Sequence, residues 1–186
     1  MQIGYIIGSL SEQSVNRMLT NALIELADEE LEFHEIRIDE LPVYNYDLDD
    51  SFPSVAVELK RSIARSDGIL FATPEYNRSI PGALKNAIDW GSRPYGESAF
   101  TGIPAGIVSA SVGAPGGAMA QQHLRNILGY LDMPTLGQPE AFIHVTPERF
   151  DENGRLVDDS TKDFLSTWMS AFTNWVRQVN RHRVAA

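Results

Sequence analysis

Five short apolar runs alternate along this chain with five stretches of helical period, and this alternation restricts the fold more than any other feature of the sequence. Residues 2–7 hold Ile3, Tyr5, Ile6 and Ile7, residues 31–38 read LEFHEIRI, and residues 68–73, 103–111 and 140–145 supply three further runs. After the first run, Val15, Met18, Leu19, Ala22, Leu23 and Leu26 recur at helical spacing, which marks one buried stripe. Ser14 is placed to cap that helix. Ser51 and Pro53 resemble the cap and first turn of a second helix ending near Arg65. Pro81 opens a third over 81–92, and a fourth over 117–131 carries Met119, Leu124, Ile127, Leu128 and Leu131. Ser160 or Thr161 starts the last, with Leu165, Trp168, Met169, Phe172, Val176 and Val179 on one face. Strands that alternate with helices predict a parallel sheet covered on both sides. Runs as apolar as GILFA at 68–72 fit strands buried on both faces. The expectation is one α/β domain over residues 1–186, with DENGRLVDD at 151–159 as an exposed hairpin or loop.

Composition removes several chemistries. Without a single cysteine there is no disulfide framework, thiolate nucleophile or iron–sulfur site. The four histidines lack ligand spacing, so no metal site is expected. A formal charge of -10 disfavours nucleic acid and anionic membrane surfaces as partners. No run is long enough to span a bilayer, and MQIGYIIGSL reads as a first strand rather than a signal peptide. These features suit a cytoplasmic protein.

In a doubly wound sheet, ligands bind beyond the C-terminal ends of the strands. The loops on that edge are 8–14, 74–80 and 111–117. The first, within GSLSEQSVN (8–16), offers the hydroxyls of Ser9, Ser11 and Ser14, the Asn16 amide beyond Val15, and backbone N–H groups at a helix start. Such donors suit a small phosphate. It lacks the glycine-lysine pair of a triphosphate loop and the spacing of a dinucleotide fingerprint. On these residues alone, a phosphate cradle and an ordinary serine-rich turn capped by Ser14 both stand. In the second loop, Pro74 and Pro81 stiffen the ends, Tyr76 offers a stacking face, and Asn77 and the loop amides can read a polar ring edge. A locally bonded turn with Glu75 and Arg78 in solvent is the plainer alternative. In the third, Ser111, Gly113, Gly116 and Gly117 let backbone N–H groups approach a ligand closely.

The segments GSLSEQSVNR, LPVYNYDLDD, TPEYNRSIPGALKNAIDWGSRP and SASVGAPGGAMAQQHLR together resemble the NAD(P)H-dependent FMN reductase family, which includes quinone, azo-dye and chromate reductases. The resemblance implies a flavodoxin-like three-layer sandwich with strand order 2-1-3-4-5, bound FMN, and NADPH or NADH as co-substrate. It implies a small-molecule acceptor and homodimers or homotetramers with the flavin near the interface. Ser9, Ser11, Ser14, Val15 and Asn16 then fall where the family binds the FMN phosphate. Pro74, Glu75, Tyr76 and Asn77 fall at the isoalloxazine ring, with Ser111, Gly113, Gly116 and Gly117 beside it. No catalytic side chain is implied, because the cofactor carries the chemistry. A flavodoxin-type electron carrier is the alternative, and a flavodoxin-like module with an empty site is a third. The chain departs from the family at Ser11, where an arginine is usual; Arg17, or an arginine of another subunit, is the candidate substitute. Arg78 is a second departure.

Overall fold

The computed structural model describes residues 1–185, with side chains through His182. Five parallel strands, β1 (Gln2–Ile7), β2 (Glu32–Glu35), β3 (Gly68–Ala72), β4 (Ala105–Ser111) and β5 (Ala141–His144), form one sheet in the order β2-β1-β3-β4-β5. Helices α1 (Val15–Glu25), α2 (Ser54–Ala64), α3 (Gly82–Gly91), α4 (Ala118–Tyr130) and α5 (Asp159–Ala185) connect and cover it. This is the flavodoxin-like order, in which the strand sequence reverses between β1 and β3.

Right-handed crossovers set which face of the sheet each helix covers, and the apolar stripes set which side of the helix is buried there. Leu59 and Ile63 of α2, Leu84 and Ile88 of α3, and Leu124 and Leu128 of α4 share one core with Ile6, Phe71 and Ile107. Leu19 and Leu23 of α1 and Leu165, Trp168, Met169, Phe172 and Val176 of α5 share the other with Ile3, Leu70 and Val108. Alternate residues of the central strands thus feed opposite layers, and every residue of β3 is buried.

Three details differ from the sequence reading. The strand expected over 31–38 ends at Glu35, although Ile36 and Ile38 stay buried at 1% and 6% exposure. Ile36 makes the final ladder bond to Tyr5 O and the chain then leaves the sheet without leaving the core. Ser51 does not cap α2; Pro53 holds that position and offers no side-chain acceptor. Helix α5 starts at Asp159, ahead of Ser160 and Thr161, because Asp158 Oδ2 accepts from Thr161 N at 2.7 Å and acts as the cap. The 151–159 segment is a hairpin closed by a Phe150–Leu156 bridge, and Phe150 is buried in the α1–α5 layer. No helix among the described residues is long and apolar enough to cross a membrane.

Candidate functional site

The loops after β1, β3 and β4 leave adjacent strands at one edge of the sheet, so topology alone brings them together. Long-range bonds then join them. Gly8 N donates to Ala72 O at 2.8 Å, which ties the first loop to the start of the second. Asn16, only 1% exposed, uses its amide in both directions on Ala110: Nδ2 donates to Ala110 O at 3.0 Å and Oδ1 accepts from Ala110 N at 2.9 Å. This side chain joins α1 to the end of β4, and its amide oxygen is committed there. Its neighbour Val15 is the first residue of α1 and packs against the α1–α5 core.

The first loop is a chain of hydroxyl-to-backbone turns. Ser9 Oγ accepts from Ser11 N, Ser11 Oγ from Gln13 N, and Ser14 Oγ from Arg17 N, each at 3.3 Å. Each hydroxyl spends an oxygen lone pair, and none donates its proton to another described residue. A hydroxyl carries one donor besides its acceptor sites, so three O–H groups stand unspent around the N-terminus of α1. Ser9 and Ser14 are nearly buried, at 7% and 5% exposure, and Ser11 is exposed. That set fits an acceptor-only group such as a phosphate monoester. Ser9 and Ser11 line a cavity of about 390 Å³ together with Arg17, Glu35, Arg37 and Asp39. Arg17 gives two N–H groups to the Glu35 carboxylate, at 3.0 and 2.7 Å, and retains the others. Hydrogen bonding to Glu35 raises the Arg17 pKa above its ordinary range, so this guanidinium is a permanent charge on the cavity wall.

The second loop is a two-residue hairpin turn. Tyr76 and Ser79 exchange both backbone bonds, at 2.9 and 3.0 Å, while Asn77 and Arg78 sit at φ of 53° and 64°. Positive φ at both central positions defines a primed turn. Asn77 suits it, and Arg78 occupies a conformation that few non-glycine residues adopt. The tip is exposed, and Pro74 behind it is buried. Glu75 points away from solvent: its Oε2 accepts from Met119 N and Ala120 N at 3.0 and 3.2 Å, at the start of α4.

In the third loop, Gly116 and Gly117 have φ of 61° and 89°, and a Cβ on Gly117 would lie 2.6 Å from Ser109 Cβ. Ser109 Oγ donates to Gly116 O at 2.6 Å and accepts from Gln121 Nε2 at 2.8 Å, which pins the loop to the strand. Gly113 is different. Its φ is not positive and an added Cβ would meet nothing nearer than Ser111 Oγ at 3.5 Å, while Gly113 N donates to that same Ser111 Oγ at 3.0 Å. Packing therefore accounts for Gly116 and Gly117 but not for Gly113.

Each loop also presents one large apolar side chain to solvent: Leu10 at 56%, Tyr76 at 50% and Val112 at 77%. Leu10 and Val112 were missed by the sequence reading. The available signal was a large apolar residue set among small polar ones on the ligand edge. Three such side chains above polar backbone fit a flat ring with an apolar face and hydrogen-bonding edges. No group of three or more candidate ligands that could hold a metal ion occurs among the described residues.

Residues 1–148 match the model of a family described as NADPH-dependent FMN reductase. A 2-hydroxy-1,4-benzoquinone reductase from a Burkholderia species is 46% identical over 177 residues, covering 95% of this chain and 97% of that protein. A quinone reductase of Pseudomonas putida is 45% identical over 176 residues, covering 94% of both. Among solved structures, the flavoenzyme FerB of Paracoccus denitrificans, an NAD(P)H:(acceptor) oxidoreductase, superimposes with a TM-score of 0.91 at 40% identity, covering 95% of this chain and 97% of that one.

Proposed function

Because this chain belongs to the NADPH-dependent FMN reductase family, we propose that its three loops hold FMN with the phosphate on the first and the ring between the second and third. The protein is an NAD(P)H-dependent flavin oxidoreductase. When bound, FMN would supply the two-electron chemistry between NAD(P)H and an acceptor, with the acceptor's protons coming from water. The observation that carries the assignment is the set of three serines with spent lone pairs and unspent O–H groups at the start of α1. A phosphate dianion accepts from Ser9 and Ser11 in their shared cavity and gains from the positive end of the helix, with Ser14 lining a neighbouring cavity that shares Glu12 and Arg17. Arg17 and Arg37 stand on the wall of the cavity shared by Ser9 and Ser11 and offset part of the charge that Glu12, Glu35 and Asp39 bring there.

At the ring, Tyr76 offers the apolar face, and Leu10 and Val112 are the exposed apolar side chains of the two other loops. The main chain of residues 74–77 and the N–H groups of Ala114 and Gly117 face the polar edge, while Gly113 N and Gly116 N brace the loop through Ser111 Oγ and Gly113 O. Asn77 earns its place through the primed turn, and its exposed amide is available to the ring or to the incoming substrate. Donors held at the edge stabilise charge that develops on reduction without having to reorganise. No side chain is required as a general acid.

The acceptor we assign is a quinone, reduced in a ping-pong sequence in which oxidised nicotinamide leaves before the quinone enters. The naming of the Burkholderia and Pseudomonas relatives supports this choice over azo, chromate or free-flavin acceptors. The protein works in the cytoplasm as a homodimer or homotetramer. Exposed Val43, Tyr46 and Tyr95, at 84%, 74% and 83%, are apolar surface suited to cover by another copy.

The test is anaerobic. Protein loaded with FMN is mixed with NADPH or NADH, and flavin absorbance is followed before and after 1,4-benzoquinone is added. Rapid bleaching, then recolouring by the quinone with parallel lines in a two-substrate initial-rate analysis, is the expected result. A flavin that stays oxidised with both donors would make the protein a carrier.

A further inference from the structure

Helix α4 begins directly behind the ring-side loop, and its capping is unusual. The N-cap position is Gly117, left-handed at φ 89° and without a side chain to offer. No side chain can be placed there, because a Cβ would lie 2.6 Å from Ser109 Cβ. The cap comes instead from the second loop, where Glu75 Oε2 takes Met119 N and Ala120 N. The Glu75 side chain is 14% exposed, and its other oxygen lies 3.8 Å from the guanidinium of Arg78, whose side chain is 73% exposed.

We propose that Glu75 tunes the bound flavin by charge from behind the loop: it is a positioning residue whose carboxylate reverses the field at the start of α4 and keeps the reduced cofactor strongly reducing. The proposal rests on the FMN reading above. An uncapped helix N-terminus carries roughly half a positive charge. Beside the ring it would stabilise the negative charge gained when two electrons and one proton arrive. Neutral hydroxyl caps leave that field in place. The full negative charge of Glu75 exceeds it, so the balance at this helix end becomes negative by about half a charge, and the reduced ring is disfavoured relative to the oxidised one. Arg78 offsets little of this, since its guanidinium is solvated and screened. A lower potential favours onward transfer to the acceptor, at some loss of drive in the step from NAD(P)H.

Glu75→Gln separates charge from geometry, because the amide oxygen can still accept both N–H groups while the charge is gone. FMN-loaded wild type, E75Q and E75A are compared by spectroelectrochemical titration, with FMN affinity followed by flavin fluorescence. The expected E75Q result is oxidised-FMN affinity within about twofold of wild type. Its preference for reduced over oxidised flavin rises about tenfold, which is about 30 mV upward for a two-electron couple. E75A loses cap and charge together and binds FMN more weakly. An E75Q potential equal to or below that of wild type overturns the proposal and leaves Glu75 a mechanical cap, while the FMN reading stands. Should E75Q not fold, E75A decides the sign: with the carboxylate gone the helix N-terminus is uncovered, so its potential must rise, and an unchanged or lowered value overturns the proposal. Wild type that takes up no FMN removes both readings at once.

Discussion

The bonds that hold the proposed ring end run far along the chain: Glu75 reaches 44 residues to Met119, and Asn16, from the first turn of α1, reaches 94 residues to Ala110 beneath the third loop. At the phosphate end they are local: Ser9, Ser11 and Ser14 accept from residues two or three positions on. The ring end is therefore a product of the fold, whereas the serine turns of the phosphate end, strung between the long-range anchors Gly8 and Asn16, are a product of residues 9–17. A substitution at the first should cost stability and cofactor together. One at the second should cost cofactor with the fold intact. Each prediction below tries to break that division.

The largest effect is expected at Gly117. Alanine there meets a φ of 89° and a Cβ 2.6 Å from Ser109 Cβ, on a strand that cannot yield. Strain of ~1–2 kcal/mol for the backbone and ~1–3 kcal/mol for overpacking add up to a protein that loses FMN and much of its stability. Gly113→Ala is the control within the same loop. With no close neighbour and no positive φ, it should stay within about 1 kcal/mol of wild type by thermal unfolding and still bind FMN more weakly. Equal effects at the two glycines would erase the distinction between a packing glycine and a ligand-facing one.

Asn16→Ala ranks next. It strands the Ala110 N–H and C=O in a buried setting, at about 1–3 kcal/mol for each unsatisfied group. A melting temperature lower by ~5–15 °C is expected, since each kcal/mol moves a chain of this size by about 2–4 °C. Riboflavin and FMN should both bind less well, because the shift of β4 carries the third loop with it.

The same division separates what the sequence discloses from what it conceals. Apolar periods and the first-loop serines are local patterns, so the alternation of strands and helices, the buried faces of the helices and the Ser14 cap could be read from them, whereas the strand order came only from the family resemblance. The strand expected to run through Ile38 stops at Glu35 because burial continues after the ladder ends, and an alternating apolar pattern records burial rather than pairing. Glu75 read as a solvated or ring-binding carboxylate, since nothing within several residues shows that Gly117 has no room for a cap. Asn16 read as a phosphate ligand from its loop alone; its bonds to Ala110 arrive only when β4 is in place, and they leave one Nδ2 hydrogen unspent. Leu10 and Val112 were legible, as large apolar residues on a polar edge, but were passed over.

Ser11→Ala should leave stability within about 0.5 kcal/mol, as an exposed loop change. It should weaken FMN binding about tenfold, the loss expected for a hydrogen bond to a charged group that is partly screened. Riboflavin, which lacks the phosphate, should bind unchanged. A loss shared equally by FMN and riboflavin would move the phosphate away from this loop.

The smallest effect is a titration at the phosphate end. Tyr5 on β1 has its phenol pKa raised above 10.0, first by burial and then by the Glu35 carboxylate, with Arg17 opposing. The folded state therefore holds the phenol proton more tightly than the unfolded chain does. Stability from this group is complete below the unfolded pKa and is lost as pH rises through the higher folded value, so the window lies above pH 10. Phenolate absorbance should show Glu35→Gln moving the Tyr5 titration down and Arg17→Ala moving it up. The same signal reports on the cofactor. A phosphate dianion held near Arg17 adds negative charge beside this cluster, so saturation with FMN should raise the Tyr5 pKa further while riboflavin leaves it in place. If the two flavins act alike, the phosphate lies elsewhere, and the serine loop is only a well-capped turn.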